Sequence, residues 1–470
     1  MKPIQVNRAL GLDALRGFAI LAMFLSGLLP FYNNTLPSWM YHAQLPPPLH
    51  KFDPMLPGIT WVDLVFPMFL FAMGAAFPLA LSKRLESGNS KIKIVLQIIG
   101  RGLLLAGFAI YIQHIKPYAL NPSPGVYEWL IALFGFALLF PILYRLPKIF
   151  NPKFKIGIKA LGLAAIIILL ALLEYPDGSG FSLGRSDIII LVLANTALFG
   201  SLIWLFTQNT ILLRLGILSI LLAFRLSHEE VGWIKEIWDF TPFPWLYKFY
   251  YLQYLFIVIP GTIVGDIILN WMNEKKSFSA SNSQIKILWL VIFLLVVLTI
   301  VVLTGLKARY TAITFIISVV ILFLNWRLLK ELIDFEILLK MFYWGAYFLI
   351  LGFIFEPFEG GIKKDRSTLS YYFVTTGLSI FLLMILTILI DLLQKQKWMN
   401  ILIHNGQNPM IAYAGISNLI PPILGITYLG SLLNLMVITP WLGFLKGMII
   451  TLILGFIVSL FTKKKIFLRT

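Results

Sequence analysis

The sequence predicts an all-α protein: a polytopic transmembrane helical bundle of about 12–14 spans, with the N- and C-termini both cytoplasmic. Of its 470 residues, 59% are hydrophobic and 13% are charged, which is about half the charged fraction of soluble domains. The apolar residues form long uncharged runs, such as the 18 residues of Leu64–Leu81 and the 19 residues of Ile287–Gly305. Runs of this length cross the hydrocarbon core of a bilayer as helices, which satisfy their own backbone hydrogen bonds.

Hydrophobic runs alternate with short polar connectors along the whole chain, so each run is a candidate span. The pattern predicts fourteen spans, near residues 17–33, 60–82, 97–115, 128–146, 157–175, 187–207, 210–226, 250–272, 285–305, 310–326, 337–356, 369–393, 402–425 and 438–462. The weakest are 157–175, 210–226 and 310–326, which leaves 12 spans as the alternative. No repeat or low-complexity linker divides the chain, and residues 1–470 are predicted to form one membrane domain.

The distribution of Lys and Arg gives the orientation. The connectors on the side of the termini hold 26 basic residues, and those on the opposite side hold 11. Positive residues concentrate in cytoplasmic connectors, so both termini are predicted to be cytoplasmic and residues 34–59 form an outer loop. A bacterial inner membrane is the predicted location.

Composition also excludes several classes of protein. The net charge of +17 does not indicate a nucleic-acid partner, because the basic residues lie between spans and no nucleic-acid motif is present. The absence of Cys excludes disulfides, thiolate nucleophiles and Cys-based metal sites, and no metal site is predicted. The phosphate-binding, dinucleotide, zinc-protease and serine-hydrolase motifs are absent as well.

The Pro-rich outer loop 34–59 carries two of the five His residues of the chain, His42 and His50. Proline stiffens such a loop, and an imidazole there could accept a proton from an attacking hydroxyl or amine. Asp63, at the outer end of the second span, could orient a His of this loop. The alternatives are solvated loop histidines and an Asp63 that only caps its helix.

On the cytoplasmic side, Asp13 and Arg16 open the first span. They form either a simple i,i+3 ion pair or a cationic entrance for a phosphorylated ligand. Asn405 and Asn408 follow His404 at the start of a later span, and their amides could bind one another or a ligand. On the outer side, the basic cluster Lys363, Lys364 and Arg366 is either an ordinary loop or a site for an anionic acceptor or lipid headgroup. Gly261-x-x-x-Gly265 and Gly443-x-x-x-Gly447 predict close helix packing.

Four segments resemble the heparan-α-glucosaminide N-acetyltransferase family, in family order: LDALRGFAILAMFLSG, GITWVDLVFPMFLFAMGAAFPLAL, IKKDRSTLSYYFVTTGLSIFLL and NGQNPMIAYAG. The resemblance implies an enzyme that takes acetyl-CoA from the cytosol and acetylates a sugar amine across the membrane, using a His of the first outer loop. The family has that His five residues before a loop glycine; here Asp53 stands five residues before Gly58, and His50 lies three residues earlier.

The resulting hypothesis is a membrane acyltransferase with acetyl-CoA as donor and a glycan or amino sugar as acceptor. His50 is the predicted base, with Asp63 orienting it and His42 as a further catalytic candidate. The residues predicted to bind acetyl-CoA are Asp13, Arg16, Arg101, Asn405 and Asn408. Membrane lipid is a predicted partner, and a homodimer is left open. The alternatives are a transporter or flippase for a glycan or lipid-linked substrate, and a catalytically inactive member of the family.

Overall fold

The computed structural model describes residues 8–31, 36–147, 149–230, 232–274 and 281–469. The structure is 76% helix, and the described residues contain no β-strand, so the all-α fold is confirmed. Residues 34 and 35 of the outer loop lie outside the described ranges, as do residues 32 and 33 of the predicted first span.

The described residues contain α-helices of very different lengths. In chain order they are α1 Leu10–Gly27, α2 Trp61–Glu86, α3 Lys91–His114, α4 Pro117–Leu120, α5 Val126–Leu143, α6 Pro152–Leu172, α7 Ile188–Thr207, α8 Ile211–Ser227, α9 Trp233–Trp238, α10 Leu255–Asn273, α11 Asn282–Lys307, α12 Thr311–Lys330, α13 Glu336–Phe355, α14 Leu369–Leu386, α15 Gln396–Gln407, α16 Pro409–Asn418, α17 Ile420–Ile426, α18 Leu429–Asn434 and α19 Pro440–Lys463.

Among the described residues, thirteen helical segments are long and apolar enough to cross a membrane, which lies within the predicted range of 12–14. Two of the three weak spans, 157–175 and 310–326, are among them as α6 and α12. The third, 210–226, forms the 17-residue α8, which is not one of the thirteen. The orientation of the termini stays a prediction.

Several predicted spans differ in their boundaries from the helices, and two of these differences have a clear physical cause. The first span begins at Leu10 rather than near residue 17, because the charges of Asp13 and Arg16 pair with each other inside the helix. The predicted span 402–425 is interrupted: α15 ends at Gln407, and α16 starts at Pro409. A residue that precedes proline is disfavoured in the helical conformation, which accounts for the break at Asn408.

The chain divides into two compact units. Unit 1 comprises residues 1–91, 200–220 and 254–406, and unit 2 comprises residues 92–199, 221–253 and 407–470. In unit 1, α14 packs along α13 and α10 packs along α2. Unit 2 contains α3 to α6, the first part of α7, α9 and α16 to α19. The single membrane domain of residues 1–470 stays a prediction.

Glycines let α2 and α10 of unit 1 approach to backbone contact. A Cβ atom at Gly261 would lie 2.4 Å from the carbonyl oxygen of Phe71, and one at Gly265 would lie 2.4 Å from that of Ala75. From the other side, a Cβ at Gly74 would lie 2.2 Å from the carbonyl oxygen of Val258. The close packing predicted from the first Gly-x-x-x-Gly motif is therefore confirmed.

The orientation can be tested with single cysteines, because the chain has none of its own. Ser87 and Ser123 are both exposed and lie in connectors predicted to face opposite sides. In intact cells we expect a membrane-impermeant thiol reagent to label Ser123→Cys, and to label Ser87→Cys only after permeabilisation. The unsubstituted protein gives the background. The reverse labelling would place the loop that carries His42 in the cytosol and contradict the predicted orientation.

Candidate active site

His42 of unit 1 lies between two carboxylates. Its Nδ1 is 2.7 Å from Oδ1 of Asp63, and its Nε2 is 2.9 Å from Oδ2 of Asp365. The side chain of Asp63 is fully buried, that of His42 is 12% exposed, and that of Asp365 is 48% exposed. The imidazole therefore has one carboxylate behind it, inside the protein, and the other at the surface.

Asp63 is fixed by the start of α2. It is the third residue of that helix and forms a capping box with Thr60, so its Oδ2 accepts the backbone N–H of Thr60 at 2.9 Å. The same oxygen accepts the backbone N–H of Ala43 at 3.2 Å. The backbone carbonyl of Asp63 accepts the hydroxyl of Tyr371 at 2.8 Å. The prediction that Asp63 caps its helix is thus confirmed. Because the other oxygen of Asp63 faces His42, the same side chain both caps α2 and contacts the imidazole.

Asp365 reaches His42 from the connector between α13 and α14. The side chain of Gln44 is fully buried and holds this connector through its backbone. Oε1 of Gln44 accepts the N–H of Asp365 at 2.9 Å, and its Nε2 donates to the carbonyl oxygens of Asp365 and Pro54. Gln44 therefore sets the position of Asp365, and both loops that form the site are joined through one amide.

Two lysines add positive charge around this array. The Lys364 charge acts on His42, Asp63 and Asp365, and Nζ of Lys307 is 3.3 Å from the carbonyl oxygen of Ala43. Part of the predicted outer basic cluster, Lys363, Lys364 and Arg366, thus lies at the His42 site. Lys363 is buried and Arg366 is exposed, so the three basic residues do not present one common surface.

The two carboxylates change the proton affinity of the imidazole. Burial alone would lower the pKa of His42, but the hydrogen bonds to Asp365 and Asp63 outweigh it and raise that pKa above the ordinary value. For Asp365 burial acts in the opposite direction and favours a higher pKa. The hydrogen bond from His42 and the charge of Lys364 outweigh burial and hold the pKa of Asp365 below the ordinary value. The array therefore favours an imidazolium between two carboxylates.

The predicted pairing of Asp63 with His50 is wrong in its geometry, because Asp63 contacts His42. The ring of His50 instead packs edge-on against Tyr41 at 4.5 Å and Phe31 at 5.0 Å between centroids. Its Nδ1 is 3.3 Å from the carbonyl oxygen of Leu45. The backbone on both sides of His42 is bonded to the start of α2: the carbonyl of Tyr41 accepts the hydroxyl of Thr60 at 2.7 Å, and the N–H of Ala43 donates to Asp63. These bonds place His42, not His50, beside Asp63.

The array has the parts of a general base. A buried carboxylate at Nδ1 fixes the tautomer and orientation of an imidazole, and the opposite nitrogen is then the one that exchanges protons. That opposite nitrogen, Nε2, faces the half-exposed Asp365.

The carboxylates lie at opposite edges of the ring and do not converge on a point, and the described residues contain no group of three His, Asp or Glu side chains that could hold a metal.

A second polar cluster of unit 1 lies at the N-terminus of α1. Oδ1 of Asp13 is 2.8 Å from Nη2 of Arg16, and Oδ2 of Asp13 is 2.6 Å from Nε of Arg8. The carboxylate of Asp391 accepts the backbone N–H groups of Leu10 and Gly11 at 3.2 and 2.9 Å. Asp13 is almost fully buried and Arg8 is half-exposed. The predicted Asp13–Arg16 ion pair is therefore present.

The clusters around His42 and Asp13 lie at opposite ends of the same helices. The helical segment Leu369–Leu392 begins four residues after Asp365 and includes Asp391 one residue before its end. Its 24 residues give a length of roughly 35 Å, which is enough to cross a hydrocarbon core of about 30 Å. The two clusters are therefore separated by about one membrane span.

The remaining residues predicted to bind acetyl-CoA are divided between the units. Asn405 of unit 1 is fully buried, and its Nδ2 donates to the carbonyl oxygen of Ile401 at 2.8 Å. Asn408 of unit 2 donates to the carbonyl oxygen of Ile466 at 2.7 Å and so holds the C-terminal segment. Arg101, also in unit 2, is partly buried in α3. The amides of both Asn residues are thus engaged within their own units.

Sequence reasoning missed Asp365 and Gln44. Asp365 stands inside the noted sequence IKKDRS, but its neighbouring basic residues drew the interpretation toward anion binding. It is 323 positions from His42 along the chain, so no local spacing connects them. Gln44 offers no signal beyond its place two residues after His42.

The fold and the site define a polytopic helical membrane protein with an Asp–His–Asp array, in which one carboxylate is buried and the other is half-exposed. The chain belongs to the family described as "Domain of unknown function (DUF5009)", which matches residues 8–272, more than half of the chain. His42, Gln44 and Asp63 fall within the matched region, and Asp365 falls outside it.

The chain is also similar to the heparan-alpha-glucosaminide N-acetyltransferase of Mus musculus, with 39% identity over 65 residues. That stretch covers 14% of this chain and 10% of the mouse protein, so the chain matches about a tenth of the length of that relative. The resemblance seen in the sequence therefore corresponds to a distant relationship.

Proposed function

We propose that the protein is a membrane-embedded acyltransferase that moves an acetyl group from cytosolic acetyl-CoA to a glycan or amino-sugar acceptor on the opposite face of a bacterial cytoplasmic membrane. The observation that carries the proposal is the His42 array, in which one ring nitrogen is fixed by a buried carboxylate and the other faces a half-exposed one. The similarity to the mouse acetyltransferase supports the choice of acetyl transfer among reactions that need a base.

In this proposal His42 replaces His50 as the base. The acceptor nitrogen or oxygen attacks the thioester carbonyl carbon of acetyl-CoA while Nε2 of His42 takes its proton. The new C–N or C–O bond forms, the C–S bond breaks, and the CoA thiolate leaves and is protonated. Asp63 stabilises the imidazolium at Nδ1. Holding donor and acceptor together at one site supplies a further part of the rate.

The acetyl-CoA phosphates would bind near the α1 cluster, about one span away from His42. Arg8 and Arg16 share the carboxylate of Asp13, and Arg side chains suit phosphate because a guanidinium can donate two parallel hydrogen bonds to its oxygens. Against this, Arg16 and Asn405 already make internal contacts. The binding of acetyl-CoA by Arg101 and Asn408, which belong to unit 2, stays a separate prediction.

The deciding experiment uses the purified full-length protein in proteoliposomes with acetyl-CoA and a panel of amino sugars and glycans. We expect free CoA to be released only when an acceptor is present, and mass spectrometry to find one acetyl group per acceptor. A protein that neither binds acetyl-CoA nor acetylates any acceptor would overturn the proposal and favour the transporter or the inactive relative.

The surface carboxylate gives a prediction of pH dependence. A base works only when it is unprotonated, so activity falls as the pH drops through the raised pKa of His42. Asp365→Asn removes a hydrogen bond that raises this pKa, and we expect the acid limb of the kcat/KM profile to move to lower pH. Asp334→Asn, an exposed carboxylate of another connector, is the control. An unchanged acid limb would mean that Asp365 does not influence the pKa of the catalytic base.

A further inference from the structure

The outer connector between α1 and α2 exposes large apolar side chains to its surroundings. In the segment of residues 48–55, which we call the apolar segment, Leu49 is 84% exposed, Met55 is 71% exposed and Phe52 is 48% exposed. Lys51 lies among them and is also exposed. Apolar side chains with an interspersed cation are typical of surfaces that rest at the headgroup layer of a membrane.

Hydrogen bonds hold the apolar segment in place. The backbone N–H of Asp53 donates to the carbonyl oxygen of Gln44 at 3.0 Å, and the Gln44 amide donates to the carbonyl oxygen of Pro54 at 3.0 Å. The N–H of His50 donates to the carbonyl oxygen of Pro46 at 3.0 Å. Because the backbone is tied down, the apolar side chains cannot turn inward together, and water is an unfavourable environment for them.

The apolar segment also borders the candidate active site. The ring of Phe52 lies 6.5 Å from that of His42 between centroids, and Asp365 contacts Nε2 of the same imidazole. Phe52 and Asp365 are both about half-exposed, whereas Asp63 is buried. An acceptor that reaches Nε2 of His42 therefore comes close to the apolar segment.

We propose that the apolar segment rests in the headgroup layer of the outer leaflet, and that the acceptor is consequently a lipid-linked sugar presented by the bilayer. The position of the segment between two membrane-spanning helices, α1 and α2, brings the bilayer surface within reach of its side chains. Lys51 complements the phosphate groups of phospholipids and of phosphate-linked carrier lipids. The second half of this proposal, the lipid-linked acceptor, rests on the proposed acetyl transfer; the first half does not.

Membrane contact can be measured without any activity, because the chain has no Cys. The variant Met55→Cys, labelled with an environment-sensitive fluorophore, is reconstituted in vesicles with lipids brominated near the headgroup end of the acyl chain. We expect quenching several-fold stronger than for Asp177→Cys, an exposed residue of a polar turn in another connector. Equal quenching at the two positions would overturn the membrane contact.

The acceptor class is tested with the double variant Leu49→Asn, Met55→Asn. In proteoliposomes we expect transfer to a lipid-linked amino sugar to fall about tenfold, because both side chains lose their partition into the membrane, while transfer to the same sugar in water-soluble form is unchanged. Ile333→Asn, an equally exposed apolar residue between α12 and α13, is the control.

The outcomes separate the two proposals. If both acceptors are acetylated and the double variant affects them equally, the lipid-linked acceptor is wrong while acetyl transfer stands. If the unsubstituted protein acetylates neither acceptor, the proposed function fails, and the quenching experiment still decides whether the apolar segment contacts lipid.

Discussion

Replacing His42 by alanine is expected to lower kcat for acetyl transfer by about 10²- to 10⁴-fold, the range that general-base catalysis contributes. The alanine removes both the nitrogen that contacts Asp63 and the nitrogen that contacts the carboxylate of Asp365. The apparent KM for acetyl-CoA should change little, because the α1 cluster lies about one span away. Steady-state kinetics of CoA release in proteoliposomes measure both constants.

His50→Ala is the matched control, since both histidines lie in the same outer loop and His50 packs against Tyr41 and Phe31 rather than a carboxylate. We expect it to retain most of kcat. His42→Gln, which keeps a hydrogen-bonding side chain, distinguishes lost chemistry from a collapsed loop: it should be as inactive as the alanine but melt like the unsubstituted protein. Full activity in either His42 variant, together with loss in His50→Ala, would return the base role to His50.

The sequence predicts the fold well because membrane insertion is decided by composition over about twenty residues. Thirteen of the predicted spans correspond to helices of sufficient length and hydropathy. The start of α1 is the instructive exception. A hydropathy count treats Asp13 and Arg16 as separate charges and therefore places them in the connector before the span. In the structure the two side chains form an ion pair inside α1, and a sum of single-residue hydropathies does not include such pairing.

The candidate site is predicted only in part, and the reason is chain separation. His42 and Asp63 are both selected by the sequence, because they lie within about twenty residues of each other beside one helix start. The pairing within that group depends on the path of a Pro-rich loop, and periodicity says nothing about such a path. Asp365 joins from a connector more than three hundred residues away, and Gln44 contributes through backbone contacts that no side-chain motif encodes.

Gly406→Ala is expected to destabilise the protein by about 2–3 kcal/mol or more, a cost typical of overpacked interiors. A Cβ atom at Gly406 would lie 1.7 Å from the carbonyl oxygen of Asp13, and one at Gly17 would lie 1.9 Å from that of Leu402. Real Cβ atoms essentially never come within 3.0 Å of another heavy atom. The helices α1 and α15 must therefore separate by more than an ångström, since both clashes are with rigid backbone.

The matched control is Gly107→Ala in α3, where a new Cβ would meet nothing within 4 Å. Alanine favours helix over glycine by up to about 1 kcal/mol, so this variant should melt at the same temperature as the unsubstituted protein or slightly above it, while Gly406→Ala melts several degrees below in the same detergent. The comparison isolates the crossing of α1 and α15 from helix propensity, because the two substitutions are chemically identical. Equal melting temperatures would mean that α1 can move away from α15 at little cost, and that the buried position of Asp13 does not depend on this contact.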